Sequence, residues 1–303
     1  MNPFRILVTG SKGQLGRELQ QQGPAEGITI IGIDIDTLDI TDAQAVDAYF
    51  QTLDVSLVIN AAAYTAVDAA ETDPKTAFAV NKDGPCNLAR ACHARLIPLI
   101  HISTDYVFDG RKKGAYQTDD PPSPMGVYAK SKAESERVVA EQTEKHIIVR
   151  TAWLYSIHGI NFVKTMLQLG REREALKVVD DQHGCPTSAA DLAAALLSIG
   201  RQVTEQPHFE SWGIYHYCGN GQTSWHGLAQ KIFEFASAYE ALSVRQVLPI
   251  PSRDYPTPAA RPANSVLNCE KTERIFGIIR PPWEKSLARM LFRLYRESTP
   301  RQN

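Results

Sequence analysis

The 303-residue sequence predicts an α/β protein, a doubly wound parallel sheet with a smaller C-terminal α/β lobe beside it. Three observations carry that prediction. Five short apolar runs in the first half are continuous rather than alternating, as strands buried on both faces of a parallel sheet are. Amphipathic stretches of helical length separate these runs, and strand–helix alternation is the signature of a doubly wound sheet. A glycine-rich turn follows the first run and opens the first helical stretch.

Taken in order, strands are expected at RILVTG (5–10), ITIIGID (28–34), SLVINAA (56–62), IPLIHIST (97–104) and HIIVRTAW (146–153). Helices are expected at 13–22, 42–52, 73–95 and 126–145. The third contains Gly84-Pro85 and should kink or split there, because proline has no N–H to give and crowds the preceding turn. After Trp153 the pattern loosens. Helices are expected at 161–171, 189–199, 225–239 and 283–295, with a strand at GIYHYCG (213–219). The proline-rich segment PIPSRDYPTPAARPANS (249–265) reads as an ordered extended loop, since amphipathic helix follows it. The expected division is residues 1–153 with about 180–210 in the wound-sheet domain. About 154–179 and 211–303 would form the smaller lobe, with a cleft between the two.

Bulk properties exclude several classes. A net charge of -2 gives no electrostatic case for nucleic acid or an anionic membrane as a partner. The five cysteines (Cys86, Cys92, Cys185, Cys218, Cys269) are scattered, odd in number and without a C-x-x-C pair. That fits reduced thiols in a cytosol better than a disulfide frame. No apolar run reaches the ~18 residues of a membrane helix, and the N-terminal residues lack a signal-peptide layout. The expectation is a cytoplasmic protein. Eight histidines show no metal-ligand spacing, and GRKKG (110–114) reads as a solvated loop.

The turn after the first strand is VTGSKGQLG, in which Gly10, Gly13, Gln14, Leu15 and Gly16 would cradle a pyrophosphate at the helix N-terminus. Asp34 ends the second strand, at the distance where a dinucleotide-binding (Rossmann) fold places the carboxylate that accepts from the adenosine ribose. A carboxylate there repels a 2′-phosphate and favours NADH, while Lys12 and Arg17 offset that repulsion, so NADPH or NADH is expected to serve. In GVYAKSK (126–132), Tyr128 and Lys132 share a helix face. A neighbouring ammonium favours phenolate, so Lys132 is expected to lower the Tyr128 pKa toward the range useful for acid–base work. Thr104, at the end of the fourth strand in HISTDYVF, borders the ligand crevice and could hydrogen-bond a substrate carbonyl.

The G-x-x-G-x-x-G spacing resembles the short-chain dehydrogenase/reductase superfamily. That resemblance implies that Asp39 and Ile40 of TLDITD hold the adenine. It also implies that Ala61, Ala62, Ala63, Tyr64 and Thr65 of NAAAYT pass beneath the nicotinamide ribose, and that Thr104, Tyr128 and Lys132 form a catalytic triad. The blocks NAAAYTAVDAAETDP, STDYVFDG, YAKSKAESE, VRTAWLY, NFVKTM, DDQHGCPT and YPTPAARPANSVLN resemble those of dTDP-4-dehydrorhamnose reductases over nearly the whole chain. The resemblance implies reduction of the C4 ketone of dTDP-4-dehydro-L-rhamnose, with Tyr128 as proton donor. Trp153 would pack on the sugar, Thr65, Val67, Asp105 and Tyr106 would border it, and Arg261 would pair with the diphosphate. Related dehydratases carry an Asp-Glu pair after the threonine, where this chain has Asp105 and Tyr106, which argues for simple reduction.

The resemblance also implies a homodimer, which in some family members is bridged by a divalent cation (Mg) that is structural rather than catalytic. Glu18 and Asp191 could contribute carboxylates here, but Arg293 stands where a further acid is expected, which argues against the metal. Two alternatives remain open on sequence alone. One is reduction or epimerisation of another nucleotide-sugar ketone. The other is a coenzyme-binding regulatory subunit resembling that of methionine adenosyltransferase.

Overall fold

The computed structural model describes residues 4–206 and 208–298. The first half runs β1 (Arg5–Thr9), α1 (Gln14–Gln22), β2 (Thr29–Ile33), α2 (Ala43–Gln51), β3 (Leu57–Asn60), α3 (Val67–Ala70), α4 (Pro74–Phe78), α5 (Gly84–Ala94), β4 (Leu99–Thr104), α6 (Gly126–Gln142) and β5 (His146–Thr151). The second half runs β6 (Leu154–Tyr155), α7 (Phe162–Glu172), β7 (Ala175–Val179), β8 (His183–Gly184), β9 (Thr187–Ser188) and α8 (Ala189–Glu205). It ends with β10 (Gly213–His216), β11 (Thr223–Ser224), α9 (Trp225–Ala236), β12 (Gln246–Ile250), α10 (Glu270–Phe276) and α11 (Trp283–Ser298).

Six strands form one sheet in the order β10-β5-β4-β3-β1-β2, and every neighbouring pair is parallel. Alternate residues of β1 enter opposite cores. Ile6 and Val8 pack with Leu15 and Leu19 of α1 and Leu192 and Leu196 of α8. Leu7 packs on the other face with Val46 and Phe50 of α2 and Leu88 of α5. This two-sided burial is why the strands are continuously apolar. The strand order reverses between β1 and β3, and the crevice beyond the C-terminal strand ends at such a reversal is where wound sheets take ligands.

Four local outcomes differ from, or refine, the sequence reading. The strand at 213–219, placed in the smaller lobe from sequence, is β10 and completes the large sheet against β5. Its Tyr215 is fully buried in the core that α1 and α8 share, which fixes it there. The smaller lobe packs α7, α9 and α11 around Tyr155, Leu167, Ile232 and Leu287. It also holds a parallel pair, β7 with β12, that the sequence did not reveal. β12 is short, largely exposed and carries Pro249, so it has no strand-like pattern to read.

The long third helix does split, through a π-helical turn at Ala79–Asp83 with Pro85 in the first turn of α5. The Gly84 N–H reaches the Ala79 carbonyl, a widened turn that carries the chain past a residue without an N–H. The proline-rich segment is tied in place. Asn264 Nδ2 donates to the carbonyls of Lys112 and Gly114 at 2.8 and 2.7 Å, which also fastens the basic loop. Among the described residues no helix is long and apolar enough to cross a membrane.

Candidate active site

A cleft of about 790 Å3 opens where the strand order reverses. Its walls contain Gly10, Gly13, Gln14, Leu15, Gly16, Asp34, Asp39, Ile40, Ala61, Ala62, Ala63, Tyr64, Thr65 and Val67 from the first three strand ends. Thr104, Asp105, Tyr106, Tyr128, Lys132 and Trp153 complete it. The expected site residue outside this wall is Arg261. Its guanidinium donates to Asp68 Oδ2 at 2.8 Å and lies 5.8 Å from the Tyr106 ring centre, so it borders the cleft through Tyr106.

The glycines are required by close approach. Gly10 has φ +67°, and a Cβ there would lie 2.7 Å from Ala62 Cα. A Cβ on Gly16 would lie 2.3 Å from the Gly10 carbonyl oxygen. The α1 N-cap is Gly13, which offers no side-chain acceptor, so the first-turn N–H groups are left for an outside anion. Asp34 Oδ2 accepts the Lys12 N–H at 2.9 Å, holding the turn against the end of β2. Lys12 Nζ pairs with Asp36 at 2.8 Å, and Arg17 Nε donates to the Lys12 carbonyl at 2.9 Å, so both cations sit on the turn that Asp34 holds. Asp39 Oδ1 accepts from the N–H and hydroxyl of Thr41, committing that oxygen to its own loop. A Cβ-intolerant cradle with uncapped N–H groups, a carboxylate at the end of β2 and the apolar Leu38 and Ile40 beyond it fit a nicotinamide dinucleotide.

The expectation that Lys132 lowers the Tyr128 pKa is overturned. Burial pushes the Tyr128 phenol up to about 12, with the Thr104 hydroxyl opposing and the Asp105 carboxylate adding to the rise. Lys132 Nζ turns to the Ile102 carbonyl at 2.7 Å. Burial draws its own pKa down to about 8, against the pull of Glu136. Thr104 donates to Asp105 Oδ1 at 2.9 Å and accepts the Tyr106 N–H at 3.2 Å. Asp105 is pushed up to about 6 by burial, which outweighs the Ser265 and Thr104 hydroxyls.

Three polar networks under the cleft went unread in the sequence. In the first, Asn60 Oδ1 accepts from Thr9 Oγ1 at 2.7 Å and from the Ala62 N–H at 3.1 Å. That fixes Asn60 Nδ2 as the donor to His101 Nδ1 at 3.0 Å, so the imidazole proton sits on Nε2. Nε2 then donates to Ser135 Oγ at 2.9 Å, and Ser135 to the Lys132 carbonyl at 2.6 Å. Burial and the Lys132 charge hold His101 neutral. In the second, Asn81 on the π-helical turn clamps both backbone polar groups of Tyr64 and donates to Ser131 Oγ at 3.0 Å. In the third, the buried Glu136 carboxylate takes Arg150 Nε and NH2 at 2.9 and 2.7 Å and Ser103 Oγ at 2.5 Å. Single polar residues inside strands and helices leave no periodic trace. Thr9 and Asn60 stand in the two dinucleotide-binding blocks, but nothing in the sequence shows that they meet each other and His101.

The carboxylates considered for a bridging cation are engaged within the chain. Glu18 is paired with Arg293 at 3.1 Å, and Asp191 with Arg289 at 2.7 Å. Among the described residues no group of three His, Cys, Asp or Glu side chains could hold a metal.

Residues 4–296 match the family model described as the RmlD substrate binding domain. A dTDP-4-dehydrorhamnose reductase of Sinorhizobium fredii is 42% identical over 97% of this chain and 99% of its own length. The crystal structure of such a reductase from Clostridium acetobutylicum has a TM-score of 0.89 at 40% identity, covering 96% of this chain and 99% of its own. One from Bacillus anthracis, in complex with NADP, has a TM-score of 0.88 at 37% identity over the same shares. With cleft, topology and whole-length similarity in agreement, the chain belongs to the family of the dTDP-4-dehydrorhamnose reductases.

Proposed function

We infer that this chain reduces the C4 ketone of dTDP-4-dehydro-L-rhamnose, giving dTDP-L-rhamnose, with NADPH or NADH. The observation that carries this reading is the meeting of Tyr128, Thr104 and Lys132 in one cleft with the glycine turn, in a chain of this family. The reduced nicotinamide supplies the hydride. Tyr128, whose phenol stays protonated at neutral pH, gives its proton to the carbonyl oxygen as negative charge develops there. A substrate oxygen beside Thr104 competes with Asp105 for the Thr104 hydroxyl proton and is oriented by it. Lys132, anchored on the Ile102 carbonyl, lines the same cleft one helical turn after Tyr128 and is the cation available to the coenzyme's ribose hydroxyls. Tyr106, where a dehydratase would need a base, has its phenol held above its ordinary range by burial, which supports reduction without loss of water. Lys12 and Arg17 on the glycine turn support use of NADPH as well as NADH. The substrate is a soluble nucleotide sugar, and we place the reaction in the cytoplasm.

The test is incubation with enzymatically generated dTDP-4-dehydro-L-rhamnose and each coenzyme in turn, with the product identified by NMR. Formation of dTDP-L-rhamnose with matching coenzyme oxidation is expected. Tight coenzyme binding without turnover of this ketone would contradict the substrate, and co-purification of a synthetase would turn attention to a binding subunit.

A further inference from the structure

Trp153 follows β5 with φ +49°, in the left-handed region where a bulky side chain is an outlier and the backbone is strained. That turn carries its indole into the cleft wall. The ring stacks on Trp225, with centroids 3.6 Å apart and planes 7° from parallel. Its edge rests on Gly184, where even a Cβ would come 2.5 Å from the indole. Trp225 is itself anchored. Its Nε1 donates to Gln182 Oε1 at 3.2 Å, and Phe162 packs against it at 4.6 Å between centroids. It opens α9 directly after Ser224, whose hydroxyl caps the helix by accepting the Gly227 N–H at 3.0 Å. Trp225 is not part of the cleft wall.

Strain of this kind persists only where the surroundings over-determine it, and the stack from the second lobe does so here. We propose that Trp225 is a positioning residue for the nucleotide-sugar substrate, holding Trp153 in its strained backbone and presenting the indole as the sugar-side wall of the cleft. The proposal rests on the reductase reading above. It separates the two ligands, because the glycine cradle is built from β1, α1 and β3 and receives nothing from Trp225.

The experiment compares wild type with Trp225→Leu and Trp225→Phe. It reads KM for dTDP-4-dehydro-L-rhamnose, kcat, the coenzyme Kd and the circular dichroism of the coupled indoles. Loss of the stack should raise KM in the Leu variant by about tenfold, with kcat and coenzyme Kd held, while Phe recovers most of the loss. The indole couplet should vanish in Trp225→Phe and equally in Trp153→Phe. A folded Leu variant with no couplet and an unchanged KM overturns the proposal, as does a parallel loss of coenzyme affinity. Should the Leu variant fail to fold, Gln182→Leu, which removes the acceptor of the Trp225 N–H, takes its place, and an unchanged KM there overturns the proposal. A wild type that binds coenzyme but does not turn over the ketone overturns the reductase reading instead, a result distinct from an active wild type whose variants keep their KM.

Discussion

Tyr128 reaches the cleft with its phenol pushed up to about 12, so at neutral pH a proton is in place for a carbonyl oxygen that gains charge. Lys132, drawn down to about 8, is the group that titrates near the working range. Its cation is lost as pH rises through that value, so kcat/KM for reduction should decline above about pH 8. Lys132→Arg, which keeps its charge, should remove that limb of the profile. A profile that stays level well above that value in wild type would exclude Lys132 as the titrating group. Asp105 gives a stability prediction. Its pKa is raised from 3.8 to about 6 by burial. Between those values the folded chain keeps a proton that the unfolded chain has released, so stability falls as pH rises through the window, and the full cost is present above it. The cost is on the order of 3 kcal/mol, and Asp105→Asn, which can still accept from Thr104, should relieve it. Thermal melts at pH 4 and pH 7 should show the variant gaining on wild type at the higher pH, and equal gains at both would contradict this.

At the scale of elements, α6 carries Tyr128 and Lys132, both buried, to the cleft and Glu136 one turn further on, where it meets Arg150 of β5 in a fully buried pair. Glu136→Gln strands the Arg150 charge in the core and should cost ~3–5 kcal/mol in chemical denaturation. A loss below about 1 kcal/mol, the worth of an exposed pair, would contradict that role. The strands of the large sheet were legible because double-sided burial makes them continuously apolar, and the glycine turn because its chemistry is local. β10 was recognised as a strand but not as a member of that sheet, since pairing with β5 across about sixty residues of intervening chain leaves no mark in its own pattern. Pro85 announced the break in the third helix, but not the π-helical turn or the use of Asn81 on it to hold Tyr64.

Across the whole molecule, the cleft is assembled from strand ends of one lobe and closed from the other by contacts such as Asn161 Nδ2 to Gln14 Oε1 at 3.0 Å and Arg261 to Asp68. The residues that line the cleft were legible in sequence because a wound sheet delivers its strand ends to one rim in a fixed order. The networks under them could not, because Asn60, His101, Ser135 and Arg150 come together only in three dimensions. Coenzyme bound to the folded chain alone should raise its stability by about 2.7 kcal/mol at a hundredfold excess over Kd. A melting temperature that does not respond to NADPH or NADH would argue against the cradle.

The most direct measurement is coenzyme oxidation on dTDP-4-dehydro-L-rhamnose by wild type beside Tyr128→Phe, with coenzyme Kd measured for both. Wild-type turnover, lost by ~10²–10⁴-fold in the variant at unchanged coenzyme Kd, is the predicted result. A variant that keeps its rate would show that the proton comes from elsewhere and would contradict the role of Tyr128.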